Sequence, residues 1–183
     1  MRSFADIDIL VAAPHIDRAI QVLEHAGATR PWPERRPGFD RRFAKSVTMT
    51  GADHIEVDVH RMLCDGVFGI RVPVDELFAD AEAFALGGEA VPTLSRAHRM
   101  LHSAYHAVLG SPAPKLSSLR DLARYFSSPD LSPSVVAPVA ERWRGTAVLA
   151  TAVDLTTNEL NFDSLEWNDW LASVSVAPTE FQR

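Results

Sequence analysis

The sequence predicts an α+β protein in which a small mixed β-sheet core precedes an α-helical region. Strand-like segments lie in the first half: an apolar run at residues 2–11 and a strict polar–apolar alternation at residues 54–60. Beyond residue 95 the apolar residues recur at helical spacing only. We therefore divide the chain into a core at residues 1–94 and a helical region at residues 95–183 that ends in a polar tail.

In the core, the first strand is followed by an amphipathic helix that begins near Pro14 and stops before Gly27. Residues 30–40 contain three prolines and a glycine, which predicts a loop. Residues 43–50 and 54–60 then form a hairpin across the turn at 51–53. A short helix at 74–81 and a second hairpin at 85–94, around Gly87-Gly88, complete this region.

In the helical region, Ser95 is a suitable N-cap for a helix at 96–109, and Ser117 for a helix that ends at Phe126. Residues 134–145 and 146–158 predict two further helices. The chain becomes polar after Thr156, where Trp167 and Trp170 are expected to act as packing anchors.

Composition restricts the class of protein. The 183 residues include 18 basic and 24 acidic side chains, a net charge of −6, which argues against general nucleic-acid binding. A single cysteine, Cys64, excludes an intramolecular disulfide framework. No apolar stretch approaches the ~20 residues of a membrane helix and no signal peptide begins the chain, so we expect a cytoplasmic protein.

One local exception to the acidic balance is a basic stretch between residues 30 and 45. Such a run is usually a solvated loop, and the alternative is a loop that contacts a triphosphate or another polyanion. Its members are Arg30, Arg35, Arg36, Arg41, Arg42 and Lys45.

The candidate site begins with Asp6 and Asp8 on the first strand. Side chains two residues apart on a strand project from the same face, so the two carboxylates lie together. Adjacent carboxylates repel each other, and a hard divalent cation such as Mg²⁺ (or Mn²⁺) removes that cost. The alternative for an isolated D-x-D is a pair of acids at a strand edge in water.

A third acid, Asp58, favours the metal site. It shares one face of the 54–60 strand with Glu56 and His60, and if the two strands are neighbours it completes a cluster of three carboxylates. Three carboxylates are the minimal apparatus for two-metal phosphoryl or nucleotidyl transfer. His60 is either a donor to one of these carboxylates or a strand-end residue.

These motifs together resemble the uncharacterised bacterial nucleotidyltransferases of the polymerase-β-like nucleotidyltransferase superfamily. The resemblance covers roughly residues 2–155 and rests on R-x-F-x-D-I-D at the start, Asp-Val-His at 58–60, Val-Pro-Thr-Leu-Ser at 91–95 before a histidine-rich helix, and Leu-Arg-Asp-Leu-Ala-Arg at 119–124. It implies transfer of NMP from an NTP to a small-molecule or protein hydroxyl, with Asp6, Asp8 and Asp58 as catalytic metal ligands. It makes His60, His102, His106 and Asp121 weaker candidates for nucleotide contacts.

The chain departs from this family at one motif. The family has a glycine motif that holds nucleotide phosphates roughly fifteen residues before its D-x-D, whereas only five residues precede Asp6 here. We expect either a start codon assigned too far downstream or a shortened relative. The second case predicts a non-catalytic interaction module that self-associates or binds a partner through an exposed sheet edge. A metal-dependent hydrolase that uses the same acids is a minor alternative.

The histidines His98, His102 and His106 recur at i, i+4 and i+8 on the 96–109 helix. Two histidines four apart can chelate zinc. No H-E-x-x-H pattern is present and no further ligand is placed to complete a site, so structural or substrate-facing roles are favoured over metal binding.

Overall fold

The computed structural model describes residues 6–52 and 54–174. The chain forms two compact units, Met1–Asp65 and Gly66–Arg183, so the division falls earlier than the boundary at residue 94 that the sequence indicates. Helices accompany a three-stranded and a two-stranded sheet in the described residues. The predicted α+β class is therefore confirmed.

The first unit contains a mixed sheet with strand order β1-β3-β2. β3 lies in the centre, parallel to β1 and antiparallel to β2. The hairpin predicted at 43–60 is confirmed as β2 and β3, although both strands are shorter than expected. The elements in chain order are β1 (Asp6–Leu10), a 3-10 helix (Ala13–His15), α1 (Ile16–His25), α2 (Phe39–Phe43), β2 (Ser46–Thr50) and β3 (Glu56–His60).

The apolar face of this sheet and α1 form the core of the first unit. Ile16 and Ile20 of α1 are buried in one cluster with Val47, Met49 and Val59 of the sheet. Alternation along the strands places these apolar side chains on one face, so the intervening polar side chains project from the other. One face of the sheet is therefore apolar and packs against α1, and the other face carries polar side chains that can contact a ligand.

The segment before β2 differs from the prediction. Residues 39–43 form α2 instead of the end of a loop and the start of a strand. Gly38 adopts a left-handed backbone (φ +76°) that few other residues tolerate, which lets the chain turn into the helix. Asp40 is buried and paired with Arg30, so a tertiary contact fixes this helix.

The second unit is mainly helical and includes one hairpin. Gly87 and Gly88 form its turn with positive φ angles, so the predicted hairpin is confirmed, with its first strand starting at residue 82. The helix at 66–71 was not predicted. The elements are α3 (Gly66–Arg71), α4 (Val74–Ala79), β4 (Glu82–Leu86), β5 (Glu89–Thr93), α5 (Arg96–Leu109), α6 (Leu116–Phe126), α7 (Pro133–Arg142), α8 (Thr146–Leu160) and α9 (Leu165–Ser173).

Helix α8 is the centre of this unit and packs against α5, α6, α7 and α9. Its sequence is apolar around most of its circumference, which is typical of a helix that is buried on several sides. Its one deeply buried hydroxyl, that of Thr156, donates to the Ala152 carbonyl at 2.7 Å, so it is not left unsatisfied.

Two of the predicted local features of this unit are confirmed and one is wrong. Ser95 caps α5, because its side chain accepts a hydrogen bond from the His98 amide. Trp167 is buried and lies 4.9 Å from the Phe126 ring, so it is a packing anchor. Ser117 is not a cap, since α6 begins one residue earlier, at Leu116. Within residues 6–52 and 54–174, none of the helices has the length and apolar character needed to cross a membrane.

Candidate metal centre

The candidate site occupies the polar face of the sheet in the first unit. The strand registers produce three rows of side chains across β1, β3 and β2 on this face: Asp6, Glu56 and Thr50; Asp8, Asp58 and Thr48; and Leu10, His60 and Ser46. Eight of these nine side chains carry an oxygen or nitrogen atom: β1 and β3 contribute four carboxylates and an imidazole, and β2 contributes three hydroxyls. An anionic face of this kind attracts cations.

The central row brings two of the predicted ligands together. Asp8 and Asp58 are direct partners in the parallel ladder, and neighbouring strands lie about 4.8 Å apart. The side chains of Asp8, Asp58 and His60 each offer one ligand atom, and these atoms lie within 4.8 Å of one another. The predicted metal site requires Asp8 and Asp58 to lie close together, and the structure places them so.

His60 contacts the cluster from the end of β3. Its Nε2 lies 2.8 Å from Oδ1 of Asp8, and its Nδ1 lies 3.3 Å from the backbone carbonyl oxygen of Met62. Each ring nitrogen therefore has an oxygen atom within hydrogen-bond distance. Because the His60 side chain is buried while Asp8 is 56% exposed, the histidine holds the carboxylate from the protein side and leaves its outer surface open.

Thr48 is a site residue that the sequence analysis missed. Its hydroxyl donates to Oδ1 of Asp58 at 2.5 Å, from the strand on the other side of β3. The hairpin register pairs Thr48 directly with Asp58. The alternation of Ser46, Thr48 and Thr50 on one face of β2 is the signal that could have identified it.

Asp6 lies on the same face as Asp8, one row further along the sheet. It is exposed and its register partner is Glu56. The ligand atoms within 4.8 Å of one another belong to Asp8, Asp58 and His60, so the third convergent ligand in the described residues is a histidine. The role of Asp6 as a metal ligand stays a prediction.

The chemistry of the cluster fits a divalent cation. Atoms bound to one Mg²⁺ at about 2.1 Å lie at most about 4.2 Å apart, so side chains within 4.8 Å need only a small contraction. Carboxylate oxygens suit Mg²⁺ and Mn²⁺, while direct ligation by an imidazole favours Mn²⁺ or Zn²⁺ over Mg²⁺. The contact between His60 and Asp8 fits a histidine that orients a carboxylate ligand.

The remaining candidates belong to the second unit. On α5, His98 is buried, His102 is half-buried and His106 is exposed, so the three histidines have different environments. Burial lowers the pKa of His98, with Asp80, 3.8 Å from its Nε2, acting in the opposite direction. Asp121 lies on α6 and contacts Arg120 at 3.4 Å. In the described residues, none of these histidines belongs to a group of three metal-ligating side chains.

Comparison with protein-family models matches residues 1–161 to a family described as uncharacterised nucleotidyltransferases. The chain belongs to this family. The match covers most of the chain and confirms the resemblance inferred from the motifs. Searches of curated proteins and of solved structures return no significant match. The family assignment makes this a nucleotidyltransferase-like protein, and the carboxylates of Asp8 and Asp58 are its candidate metal-binding groups.

Proposed function

We propose that this protein is a metal-dependent nucleotidyltransferase that transfers NMP from an NTP to a hydroxyl group of a small molecule or protein. One observation carries the proposal: Asp8 and Asp58 are register partners on parallel strands, and their oxygens converge with the His60 ring. The family membership supports the reaction class. The net charge of −6 favours a small molecule or a protein over nucleic acid as acceptor.

In the proposed site, Asp8 and Asp58 present carboxylate oxygens to Mg²⁺ or Mn²⁺, and Asp6 is the third proposed ligand. A bound cation of this kind supplies charge neutralisation at the triphosphate and lowers the pKa of the acceptor hydroxyl. His60 fixes the position of Asp8, and Thr48 fixes that of Asp58. Such supporting hydrogen bonds orient ligands before the cation binds.

The reaction is an in-line displacement at the α-phosphorus. The acceptor oxygen forms a bond to this phosphorus, the bond to the bridging oxygen of the β-phosphate breaks, pyrophosphate leaves, and the hydroxyl proton passes to solvent. The site's exposed outer surface at Asp8 suits this chemistry, because a triphosphate can reach the carboxylates without a rearrangement of the sheet.

The test compares the wild-type protein with Asp8→Asn and Asp58→Asn, which keep side-chain size and remove one charge each. Glu24→Gln is the matched control, because Glu24 is exposed on α1, the helix that covers the opposite face of the sheet. Mg²⁺ and Mn²⁺ are titrated with each radiolabelled NTP, and thermal stabilisation and label transfer to a cell extract are measured.

We expect metal-dependent stabilisation and label transfer in the wild type and in Glu24→Gln, and a loss of transfer by at least about 100-fold in the two aspartate variants. Full transfer by Asp8→Asn in saturating metal would refute the mechanism.

A non-catalytic interaction module is the second candidate. In the described residues β1 pairs with β3 along one edge only, and the side chain of Ile7 on this strand is 44% exposed. Unpaired strand edges invite pairing with another chain. Absence of metal-dependent nucleotide binding in the wild type, together with a dimer in light scattering that Ile7→Lys dissociates, would favour this function over the first.

A further inference from the structure

A cavity of about 520 Å³ lies in the first unit, between the loop before α2 and α2 itself. Its size falls within the range of small-molecule sites. The lining includes Arg35, Arg36, Gly38, Phe39, Arg42 and Phe43, and we call it the arginine cleft. None of these residues belongs to the carboxylate cluster described above.

Within the part of the chain that the structure describes, the arginines of the cleft have no acidic partner. Two nearby arginines have acidic partners: Arg30 pairs with Asp40, and Arg41 lies 3.8 Å from Asp17. Among the described residues, the three cleft arginines form no ion pair with a carboxylate, although the chain has an excess of acids. Cationic side chains that line one cavity without acidic partners attract anions.

Local contacts hold the backbone of the segment that carries Arg35 and Arg36. Asp40 is buried, its amide donates to Oε1 of Glu34 at 3.0 Å, and its carboxylate accepts from Arg30. These contacts fix both ends of the segment that carries Arg35 and Arg36. In this segment the carboxylates of Glu34 and Asp40 form contacts within the protein, whereas the arginine side chains of the cleft are exposed to solvent.

Aromatic rings line the same cavity. Phe39 and Phe43 lie 5.3 Å apart between ring centroids, and Phe43 is 65% exposed. An exposed phenylalanine beside arginines offers a flat surface on which a nucleobase can stack, while guanidinium groups bind phosphate oxygens in pairs. A ligand with a planar ring and several phosphates satisfies both kinds of group.

The arginine cleft is joined to the carboxylate site through Arg61, the residue after His60. The Arg61 side chain donates to the carbonyl oxygens of Ala44, at 2.5 Å, and of Arg42, at 2.9 Å. Helix α2 also packs against the 3-10 helix that follows β1. The cleft thus lies at the carboxyl ends of the two parallel strands, the edge at which open α/β sheets bind ligands.

We propose that the arginine cleft binds a nucleoside triphosphate, with its phosphates on Arg35, Arg36 and Arg42 and its base against Phe43. This proposal rests on the nucleotidyl-transfer function proposed above, which supplies the reason for a nucleotide ligand. It gives the chain a phosphate site that does not depend on the glycine motif. Because the binding groups are cationic side chains, the cleft should retain phosphates without a metal ion.

The test measures the binding of ATP and of inorganic tripolyphosphate by calorimetry in EDTA and low salt. The variants are the double change Arg36→Gln/Arg42→Gln and Phe43→Ala. Arg124→Gln, an exposed arginine on α6, is the matched control for loss of charge. Melting temperatures within 2 °C of the wild type, as a rough tolerance, establish that each variant is folded.

We expect the double arginine variant to bind both ligands at least tenfold more weakly, which is about 1.4 kcal/mol. Phe43→Ala should weaken ATP binding about threefold to tenfold and leave tripolyphosphate unchanged, since only the nucleotide has a base to stack. Arg124→Gln should bind as the wild type does.

The proposal would be overturned by wild-type affinity in the double arginine variant, or by a lack of metal-free binding of either ligand to the wild type. Tighter binding of a single-stranded oligonucleotide than of ATP would also overturn it, in favour of a nucleic-acid surface. Failure of the proposed function gives a different pattern, in which metal-free ATP binding persists and label transfer is absent.

Discussion

A single methyl group at Gly145 should destabilise the protein. Gly145 precedes α8, and a Cβ atom built there would lie 2.0 Å from the Tyr105 hydroxyl oxygen, 2.8 Å from Cζ and 3.0 Å from Cε2. Tyr105 is fully buried, and its ring packs edge-on against Phe68 and Trp143. The ring therefore has no open space into which it can move.

The expected change in the free energy of unfolding is the difference between a gain from the unfolded chain and a cost from overpacking. The backbone of Gly145 has φ −116°, which alanine adopts freely, so the loss of unfolded-state freedom alone would stabilise the fold by up to about 1 kcal/mol. Overpacking of a rigid core costs about 3 kcal/mol. The net loss is about 2 kcal/mol, and at roughly 3 °C per kcal/mol for a chain of this length the melting temperature should fall by about 6 °C.

Thermal unfolding of Gly145→Ala by circular dichroism and calorimetry provides the measurement. Tyr105→Phe removes the oxygen of the closest contact, so Gly145→Ala in that background should cost at least about 1 kcal/mol less. Gly87→Ala is a control for backbone conformation without a clash, because φ is +61° there and no atom lies within 4 Å of the built Cβ. A melting temperature for Gly145→Ala at or above that of the wild type would refute the argument.

Three further predictions concern the first unit. Thr48→Val removes the hydroxyl that donates to Asp58, so Mn²⁺ affinity measured by calorimetry should fall at least about tenfold. Thr50→Val, on the same face of β2, should leave the affinity unchanged. Equal Mn²⁺ affinities of Thr48→Val and the wild type would contradict the role of Thr48. Burial raises the pKa of the Cys64 thiol from 9.0 to about 11, with Lys45 acting in the opposite direction. Alkylation of the folded protein at pH 8 should therefore be about 100-fold slower than alkylation of the urea-unfolded protein, and equal rates would contradict this prediction. On raising the pH, the Cys64 thiol loses its proton in the unfolded chain before it does so in the folded one. Its contribution to the free energy of unfolding should therefore be fully present below pH 9 and be lost, by about 3 kcal/mol, as the pH rises through about 11. Cys64→Ala should abolish this pH dependence.

The elements that the sequence predicts correctly are those that depend on local periodicity and local end signals. The alternation at residues 54–60 separates Asp58 and His60 from Val57 and Val59 whatever the strand pairs with, because side chains on a strand alternate between faces. The bounds of α5 follow from its cap at Ser95 and its stop near Gly110 in the same way. Helix α2 was missed because its five residues are held by the buried Asp40 and its partner Arg30, and no local pattern encodes that contact.

For the candidate site, the sequence by itself determined which residue types share a face: Asp6 with Asp8, and Asp58 with His60. Only the tertiary structure decided that β3 lies beside β1 in the register that pairs Asp8 with Asp58. It also decided that His60 reaches Asp8 across 52 residues of sequence and that Thr48 supports Asp58. The physical reason is that register is set by burying the opposite, apolar face against α1, and this long-range packing has no signature in a short stretch of sequence.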